Sequence, residues 1–374
     1  MKICMLGWEF PPKISGGLAR HCYALARELV LLGNDVYITI PRKNAPKENE
    51  VDGIKIVKVD YKFEKKTYTD EVNTIIYKYP KNVFNCIKNL GVKFDIVHAH
   101  DWMNVNAAIK IKKFFNIPFV LTIHSSELDR SGGVLLKKSR VLKVEGIGIK
   151  NADLVITVSK HMAEQIKNVF KVKRDIQVVY NGIDPAKEDI VRKEKDYVLF
   201  VGRLTEQKGV EYLIYALLPI FKKYKKLKLY VVGKGHLKKS LEKLTELLGI
   251  KRNVKFLGFV SDEKLVEYYK GAKLLAMPSL YEPFGIVALE AMKYKVPTII
   301  SKRAGVVEML KDGENTILVD PMNTNEFRDA IYRYLKDEGL RKRIGMNGYM
   351  LTNEISWKEI ALKTFNLYKS LVST

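Results

Sequence analysis

Two glutamates separated by seven residues are the part of this sequence with the clearest chemistry. Glu282 and Glu290 lie in the segment 279–290, Ser-Leu-Tyr-Glu-Pro-Phe-Gly-Ile-Val-Ala-Leu-Glu, and a proline directly follows the first of them. A residue before proline avoids the α region, and proline is favoured in the first turn of a helix. The pattern therefore predicts Glu282 in a loop at a helix start and Glu290 about two turns inside that helix.

The backbone at this helix start is expected to bind a ligand that carries hydroxyls and negative charge. The amides of Phe284, Gly285 and Ile286 would be free N-terminal donors, and such donors bind anions. The two carboxylates can accept hydrogen bonds from hydroxyl groups. A solvated glutamate and a helix-surface glutamate are the alternative interpretation, so other motifs must decide between them.

A second motif supplies positive charge. The segment 201–209, Val-Gly-Arg-Leu-Thr-Glu-Gln-Lys-Gly, follows a predicted strand and opens a predicted helix. Arg203 can bind a diphosphate bidentately, and Lys208 adds a compact charge in the same loop. Two cations at the positive end of a helix are unfavourable without an anion between them. Because no D-x-D pair occurs in the sequence, these cations rather than a metal ion are expected to neutralise the diphosphate.

The elements that must position these groups follow an alternating pattern. Apolar runs of strand length alternate with segments of helical period, which predicts parallel sheets covered by helices. The residues between 41 and 79 are less regular, and the charged stretch 187–196 is predicted to be a linker. Strands are predicted at 2–7, 36–40, 96–99, 119–123, 154–158, 176–179, 197–201, 227–232, 254–257, 273–277 and 298–300.

The predicted architecture is α/β, with two Rossmann-like domains and a cleft between them that faces the carboxyl ends of the strands. The domains are predicted at residues 1–185 and 186–356, and a last helix at 357–374 is expected to pack back on the first domain. A dinucleotide-dependent dehydrogenase is disfavoured because the first strand is not followed by G-x-G-x-x-G.

Composition describes a globular protein of 374 residues with 47% hydrophobic and 29% charged residues. No apolar run is long enough to span a membrane, the N-terminal run is too short for a signal peptide, and the three cysteines show no C-x-x-C spacing. A cytoplasmic location is therefore expected. The net charge of +23 allows an anionic small molecule, an anionic membrane surface or nucleic acid as partner, or only a lysine-rich solvated surface. No nucleic-acid recognition motif is present, so no nucleic acid is expected.

Together, the E-x7-E and G-R-x4-K-G motifs resemble those of retaining glycosyltransferases of the GT-B architecture, similar to glycogen and starch synthases in glycosyltransferase families 4 and 5. The resemblance continues in His-Asp-Trp at 100–102, Thr-Ile-His at 122–124 and Val-Tyr-Asn-Gly-Ile-Asp at 179–184. It covers nearly the whole chain, from Trp8 to the C-terminal helix.

The resemblance implies an enzyme that moves a sugar from a nucleoside diphosphate sugar with retention of anomeric configuration and without a separate cofactor. It implies that Glu282 contacts the hydroxyls of the transferred sugar and Glu290 those of the ribose, while Arg203 and Lys208 stabilise the leaving diphosphate. His124 would lie near the reacting sugar. The helix start at Phe284, Gly285 and Ile286 would also contact the donor, and the nucleobase would lie against the backbone of Phe259 and Val260.

A glycine-rich segment in the first half resembles the N-terminal loop of the same synthases. Gly16 and Gly17 would allow close approach to a ligand, and Lys13 could reach a phosphate. The spacing departs by one residue from the usual K-x-G-G-L. A plain glycine-rich turn therefore stays the alternative.

The segment 125–144 is the expected acceptor region. It is rich in charged residues and shows no broad apolar patch, which favours a sugar chain over a lipid. We therefore expect glucosyl transfer from ADP- or UDP-glucose to an α-glucan or short malto-oligosaccharide. Its cations would also suit a membrane lipid headgroup or a small phosphorylated acceptor. A sugar-nucleotide epimerase shares the architecture, but the paired motifs argue against it.

Overall fold

The computed structural model describes residues 1–13, 16–61, 67–131, 139–186 and 190–372. Strands and helices alternate along both halves of the chain. The strands are β1 (Lys2–Leu6), β2 (Asp35–Pro41), β3 (Glu50–Val51), β4 (Ile54–Val59), β5 (Ile96–His100), β6 (Phe119–Ile123), β7 (Leu154–Thr157), β8 (Gln177–Val178), β9 (Tyr197–Val201), β10 (Lys228–Val232), β11 (Val254–Gly258), β12 (Leu274–Met277), β13 (Thr298–Ser301) and β14 (Ile317–Val319).

The helices between these strands have the lengths expected of crossover connections in parallel sheets. A π-helical turn at Thr74–Lys78 joins the second helix to the third. The α-helices are α1 (Gly17–Leu31), α2 (Tyr68–Asn73), α3 (Tyr79–Asn89), α4 (Val105–Phe115), α5 (Glu127–Arg130), α6 (Arg140–Asn151), α7 (Lys160–Phe170), α8 (Val210–Lys223), α9 (Lys238–Leu247), α10 (Asp262–Gly271), α11 (Ile286–Lys293), α12 (Thr324–Lys336), α13 (Glu338–Asn353) and α14 (Trp357–Val372).

The chain divides into two compact units. The first contains Met1–Gly182 together with Trp357–Thr374, and the second contains Ile183–Ser356. Within the first unit, α14 packs against α1. Among the described residues, no helix is long and apolar enough to cross a membrane.

The stretch predicted as a linker differs from the expectation. Residues 187–189 lie outside the described part, but residues 190–196 are bound to the second unit. Arg192 donates to the carbonyl oxygen of Lys295 at 2.7 Å, and Glu194 accepts from Arg341 at 3.0 Å. A run of charges without apolar period therefore does not mark a free linker here, because its charged side chains find partners on one unit.

The first unit contains an eight-stranded sheet in the order β3-β4-β2-β1-β5-β6-β7-β8. All neighbouring pairs are parallel except β3 with β4. The sequence analysis missed the β3–β4 hairpin in the region it described as less regular. Its turn residues Asp52 and Gly53 both have positive φ, 49° and 74°, and an Asp-Gly pair between short apolar runs is a hairpin signal that could have located it.

The second unit contains a six-stranded parallel sheet in the order β11-β10-β9-β12-β13-β14. Alternate residues of β9 enter two separate hydrophobic cores, Val198 in one and Leu199 in the other. The sheet is therefore covered on both faces, as predicted for a parallel sheet. The short β14 was not predicted. Because parallel strands end at one edge, the loops after β9, β10 and β12 meet there.

Candidate functional site

In the second unit, Lys208 and Glu282 meet as an ion pair. The Lys208 ammonium contacts the Oε2 atom of Glu282, and the Ser279 hydroxyl donates to the same oxygen at 3.2 Å. Only 18% of the Lys208 side chain and 12% of the Glu282 side chain are exposed. Lys208 and Glu282, which the sequence analysis assigned to the diphosphate and to the transferred sugar, therefore lie together and neutralise each other.

The backbone brings the two loops into contact. The carbonyl oxygen of Gln207 accepts from the amides of Leu280 at 2.7 Å and Tyr281 at 3.3 Å. Gly209 has a φ of +61°, and a Cβ atom there would lie 2.2 Å from the carbonyl oxygen of Pro278. Only glycine allows this approach, so Gly209 fixes the spacing between the Lys208 and Glu282 loops.

The start of α11 is held by hydrogen bonds from the turn that follows β13. The turn after β13 donates to the Glu282 loop, from Gly305 to the Glu282 carbonyl oxygen at 2.9 Å and from Val306 to that of Phe284 at 2.7 Å. The amides of Gly285 and Ile286 donate to no acceptor within the described residues. They are therefore available at the N-terminal end of α11, where a helix favours an anion.

Glu290 lies closer to the start of its helix than the sequence predicted. Because Gly285 takes a left-handed φ of +104°, α11 begins only at Ile286, and Glu290 lies about one turn inside it rather than two. Its side chain is buried, and its Oε2 atom accepts from the Tyr269 hydroxyl at 2.8 Å. Tyr269, on α10, was not identified from the sequence.

The Arg203 side chain is exposed and makes no hydrogen bond or ion pair with the described part of the chain. Its loop is held by backbone bonds, from Gly202 to the Val232 carbonyl oxygen at 3.0 Å and from Leu204 to that of Lys234 at 2.9 Å. A Cβ atom on Gly233 would lie 1.9 Å from the carbonyl oxygen of Gly202. The glycine directly after β10 thus supports the Arg203 loop.

Phe259 follows β11 as an exposed aromatic side chain, with 63% of its surface accessible. The Lys234 ammonium lies 5.7 Å from the centroid of its ring, and Val260 beside it is half-buried. An exposed ring beside a cation is a surface on which a planar base can stack.

The glycine-rich segment of the first unit opens α1, as the sequence suggested. Gly16 is the residue before the helix, and Gly17 is its first residue. Ile14 and Ser15 lie outside the described residues. The ammonium of Lys13 donates to the carbonyl oxygen of Lys43 at 2.6 Å, and its expected contact with a phosphate stays a prediction.

Buried histidines gather at the carboxyl ends of β5 and β6. The Nδ1 atom of His100 lies 3.0 Å from the Nε2 atom of His124. The third ring belongs to His21 of α1, whose centroid is 4.4 Å from that of His124. The sequence analysis did not single out His21, although its position one helical turn after Gly17 places it at the same helix start.

His98 is a core residue whose two ring nitrogens both have hydrogen-bond partners. Its Nδ1 atom lies 2.5 Å from the Tyr368 hydroxyl, and its Nε2 atom lies 2.7 Å from the Thr122 hydroxyl. Burial lowers the pKa of His21 to about 4 and that of His98 to about 3. It also holds the pKa values of His100 and His124 well below the ordinary range, so all four rings are neutral at pH 7.

Asp101 supports the position of His124. It has a φ of +57°, and its buried Oδ1 atom accepts from the His124 backbone amide at 2.7 Å. Burial raises the pKa of this carboxyl to about 6. The carboxylate therefore fixes the chain where it leaves β6.

The expected acceptor segment is only partly described, since residues 132–138 lie outside the described ranges. Arg130 bonds Glu145 at 2.5 Å and Glu127 at 3.3 Å. Arg140, at the start of α6, donates to the Asn73 amide oxygen. Arg130 is one of the cations of this segment that the sequence analysis considered suited to an anionic acceptor. Its charge is instead neutralised by two carboxylates of the first unit.

Two family models cover most of the chain. The model of Glycosyltransferase Family 4 matches residues 15–187, and the model described as Glycosyl transferases group 1 matches residues 183–350. An uncharacterized glycosyltransferase of Methanocaldococcus jannaschii is 36% identical over 99% of this chain and 98% of its own length.

Two further relatives carry more specific names. A glycogen synthase of Mycobacterium tuberculosis is 29% identical over 98% of this chain and 94% of its own. A D-inositol 3-phosphate glycosyltransferase of Corynebacterium urealyticum is 28% identical over 96% of this chain and 91% of its own.

Solved structures share the fold. Sucrose-phosphate synthase from Thermosynechococcus elongatus superposes with a TM-score of 0.82 at 23% identity, covering 100% of this chain and 99% of that one. The catalytic domain of starch synthase IV from Arabidopsis thaliana, bound to ADP and acarbose, gives 0.80 at 18% identity with the same coverage. The two parallel-sheet units are thus those of the GT-B fold, as predicted. The chain belongs to the glycosyltransferases and is similar to glycogen and starch synthases.

Proposed function

We propose that this glycosyltransferase transfers glucose, with retention of configuration, from UDP- or ADP-glucose to an α-glucan or malto-oligosaccharide. The observation that carries the proposal is the contact of Lys208 with Glu282 just before the open amides of Gly285 and Ile286, with an exposed Arg203 in the same loop as Lys208. It combines anion-binding groups with a carboxylate that can accept sugar hydroxyls. The similarity to a glycogen synthase over nearly the whole chain supports glucose as the sugar.

In the proposed reaction, the bond between the anomeric carbon and the diphosphate oxygen breaks, and negative charge develops on the diphosphate. Arg203, Lys208 and the start of α11 stabilise that charge, which is the effect that accelerates the step. The acceptor hydroxyl bonds to the same face of the sugar, and its proton passes to the leaving phosphate. No protein nucleophile takes part.

The compensated charge of Arg130 favours a neutral acceptor. Arg130 is held by Glu127 and Glu145, so it is not free to bind a phosphate. A small phosphorylated acceptor is the second candidate, because a relative of similar length is a D-inositol 3-phosphate glycosyltransferase.

The test measures nucleotide release from UDP-, ADP- and GDP-glucose with maltodextrin, with inositol 3-phosphate, with liposomes that contain anionic lipid, and with no acceptor. We expect maltodextrin to stimulate release and the product to carry an α-linkage by NMR. Stimulation by inositol 3-phosphate alone would support the second candidate, and stimulation by liposomes alone would indicate a lipid acceptor. A β-linked product would contradict retention.

The same assay tests the metal requirement. Since Arg203 and Lys208 supply the positive charge, transfer should persist in excess EDTA. Loss of activity that magnesium or manganese restores would show that a cation on the diphosphate is needed.

A further inference from the structure

Three of the buried histidines are arranged as metal ligands. One nitrogen of each of His21, His100 and His124 lies within 4.8 Å of the other two. The rings come from α1 and from the ends of β5 and β6, and none is more than 8% exposed. Imidazole nitrogens suit zinc, copper and nickel, whereas magnesium prefers oxygen ligands.

His21 has one nitrogen that is open to a ligand. Its Nδ1 atom lies 2.7 Å from the Oδ1 atom of Asn181, which only accepts, so Nδ1 carries the hydrogen. The lone pair is then on Nε2, which is buried and has no hydrogen-bond partner among the described residues. A histidine that donates one N–H to an oxygen and presents the other nitrogen is the usual arrangement of a metal ligand.

His100 and His124 are spaced for a shared ion. Their facing nitrogens are 3.0 Å apart, and two nitrogens at about 2.0–2.1 Å from a tetrahedral zinc ion lie roughly 3.3 Å apart. When an ion takes both lone pairs, the proton between the rings moves to the far nitrogen of the ring that carried it. Like the Nε2 atom of His21, the Nε2 atom of His100 is buried and has no partner among the described residues.

The charge around the rings is compatible with a divalent cation. The three ligands are imidazoles, which bind metals in their neutral form and so bring no negative charge to the site. The buried carboxyl of Asp101 accepts from the backbone amide of His124, so an acidic group contacts one of the three residues.

We propose that His21, His100 and His124 bind one divalent first-row transition metal ion, for which Zn²⁺ is the probe. The ion joins α1 to the ends of β5 and β6, and a three-histidine set leaves a fourth position for water. This site belongs to the first unit, whereas Arg203 and Lys208 belong to the second. Its occupancy is not a requirement of the proposed transfer.

The test uses the untagged full chain with His161→Ala and His236→Ala, which removes the two histidines outside the buried cluster. After EDTA treatment and desalting, calorimetry should show one Zn²⁺ per chain and no binding of Mg²⁺. Co²⁺ should give the visible absorption of a tetrahedral ion. Absence of saturable binding at one ion per chain would overturn the proposal.

Two variants in the same background test the assignment of ligands. His21→Gln should abolish the stoichiometric binding, and Asn181→Ala should weaken it about 10- to 100-fold because the ring loses the group that orients it. Circular dichroism checks that each variant folds, and Asn181→Ala carries the test if His21→Gln does not fold. Unchanged Zn²⁺ affinity in the folded variants would show that the ion binds elsewhere and contradict the site.

Discussion

At the scale of single residues, Arg203 and Lys208 differ in the effect that removing their side chains would have on neighbouring residues. The Arg203 side chain is exposed with no described partner, whereas the Lys208 side chain holds the carboxylate of Glu282. In the proposed function, a donor would compete with Glu282 for Lys208 and would find the Arg203 side chain open. This difference separates a contribution to donor binding from a contribution to the fold.

We expect Arg203→Ala to lower kcat/KM roughly 10²-fold or more without changing stability, because only the charge that faces the diphosphate is lost. Steady-state kinetics with the preferred donor gives the first quantity, and urea unfolding gives the second. Lys239→Ala, an exposed lysine on α9 of the same unit, is the control and should leave both unchanged. Activity of Arg203→Ala close to that of the parent protein would remove Arg203 from the diphosphate site.

Lys208→Ala should lower kcat/KM by a similar factor and also destabilise the second unit by about 1–3 kcal/mol, because Glu282 loses its counter-charge in a partly buried position. Hydrogen exchange of peptides around residue 282 measures the second effect. Restored protection in the double variant with Glu282→Gln would confirm its cause. Unaltered protection in Lys208→Ala would mean that the ion pair contributes nothing to the fold.

At the scale of elements, the site depends on how closely two loops approach. Gly209 and Gly249 both have positive φ, +61° and +69°. A Cβ atom on Gly209 would meet Pro278, whereas one on Gly249 would meet nothing within 4 Å. An alanine at either position would thus strain the backbone, but only at position 209 would its Cβ atom also clash with another residue.

Gly249→Ala should cost about 1–2 kcal/mol from its left-handed conformation and leave kcat/KM unchanged. Gly209→Ala should carry the same cost and also move the 278–282 loop, so we expect kcat/KM to fall roughly 10²-fold. Kinetics of the two variants side by side is the measurement. Equal kinetics would show that the loop contact at Gly209 does not position Glu282.

Elements were predictable from the sequence where a local pattern determines them. The apolar runs located β6 and β9 within a residue, but the β3–β4 hairpin was missed because β3 has only two residues and lysines interrupt the apolar residues of β4. Pro283 correctly predicted a helix start near Glu282, but the left-handed φ of Gly285 moves that start to Ile286. The contacts of Lys208 with Glu282 and of His21 with His124 join residues far apart in sequence, so no spacing rule could give them.

At the scale of the whole molecule, the first unit should lose stability in mild acid. His21 and His98 have pKa values of about 4 and 3 in the fold, against about 6.5 in an unfolded chain. Those of His100 and His124 are lowered as well. The unfolded state therefore binds more protons below pH 6.5, and the free energy of unfolding falls as pH decreases toward 4.

Two buried carboxyls act in the opposite sense. Burial raises the pKa of Asp101 to about 6 and that of Glu145 to about 7, so their contribution is present at low pH and lost as pH rises through these values. His21 and His98 each contribute a loss of about 2 kcal/mol between pH 6.5 and 5, and His100 and His124 act in the same direction. The four histidines outweigh the two carboxyls, and the net change is a destabilisation.

All three tryptophans, Trp8, Trp102 and Trp357, lie in the first unit, so their fluorescence reports its unfolding separately. Metal-free protein should unfold at a lower urea concentration at pH 5 than at pH 7, and His21→Gln should reduce the difference. A midpoint that is equal or higher at pH 5 would contradict the buried neutral state of these rings.

The return of α14 to the first unit has a consequence for synthesis on the ribosome. The second unit is continuous in sequence, so all of it has been translated before residue 357 appears. His98, by contrast, lies 270 positions before the tyrosine that bonds it. The unit translated first is thus the one completed last, and a nascent chain carries an open α1 face throughout the elongation of the second. A ribosome that stalls before α14 would leave that face for chaperones or proteases to bind.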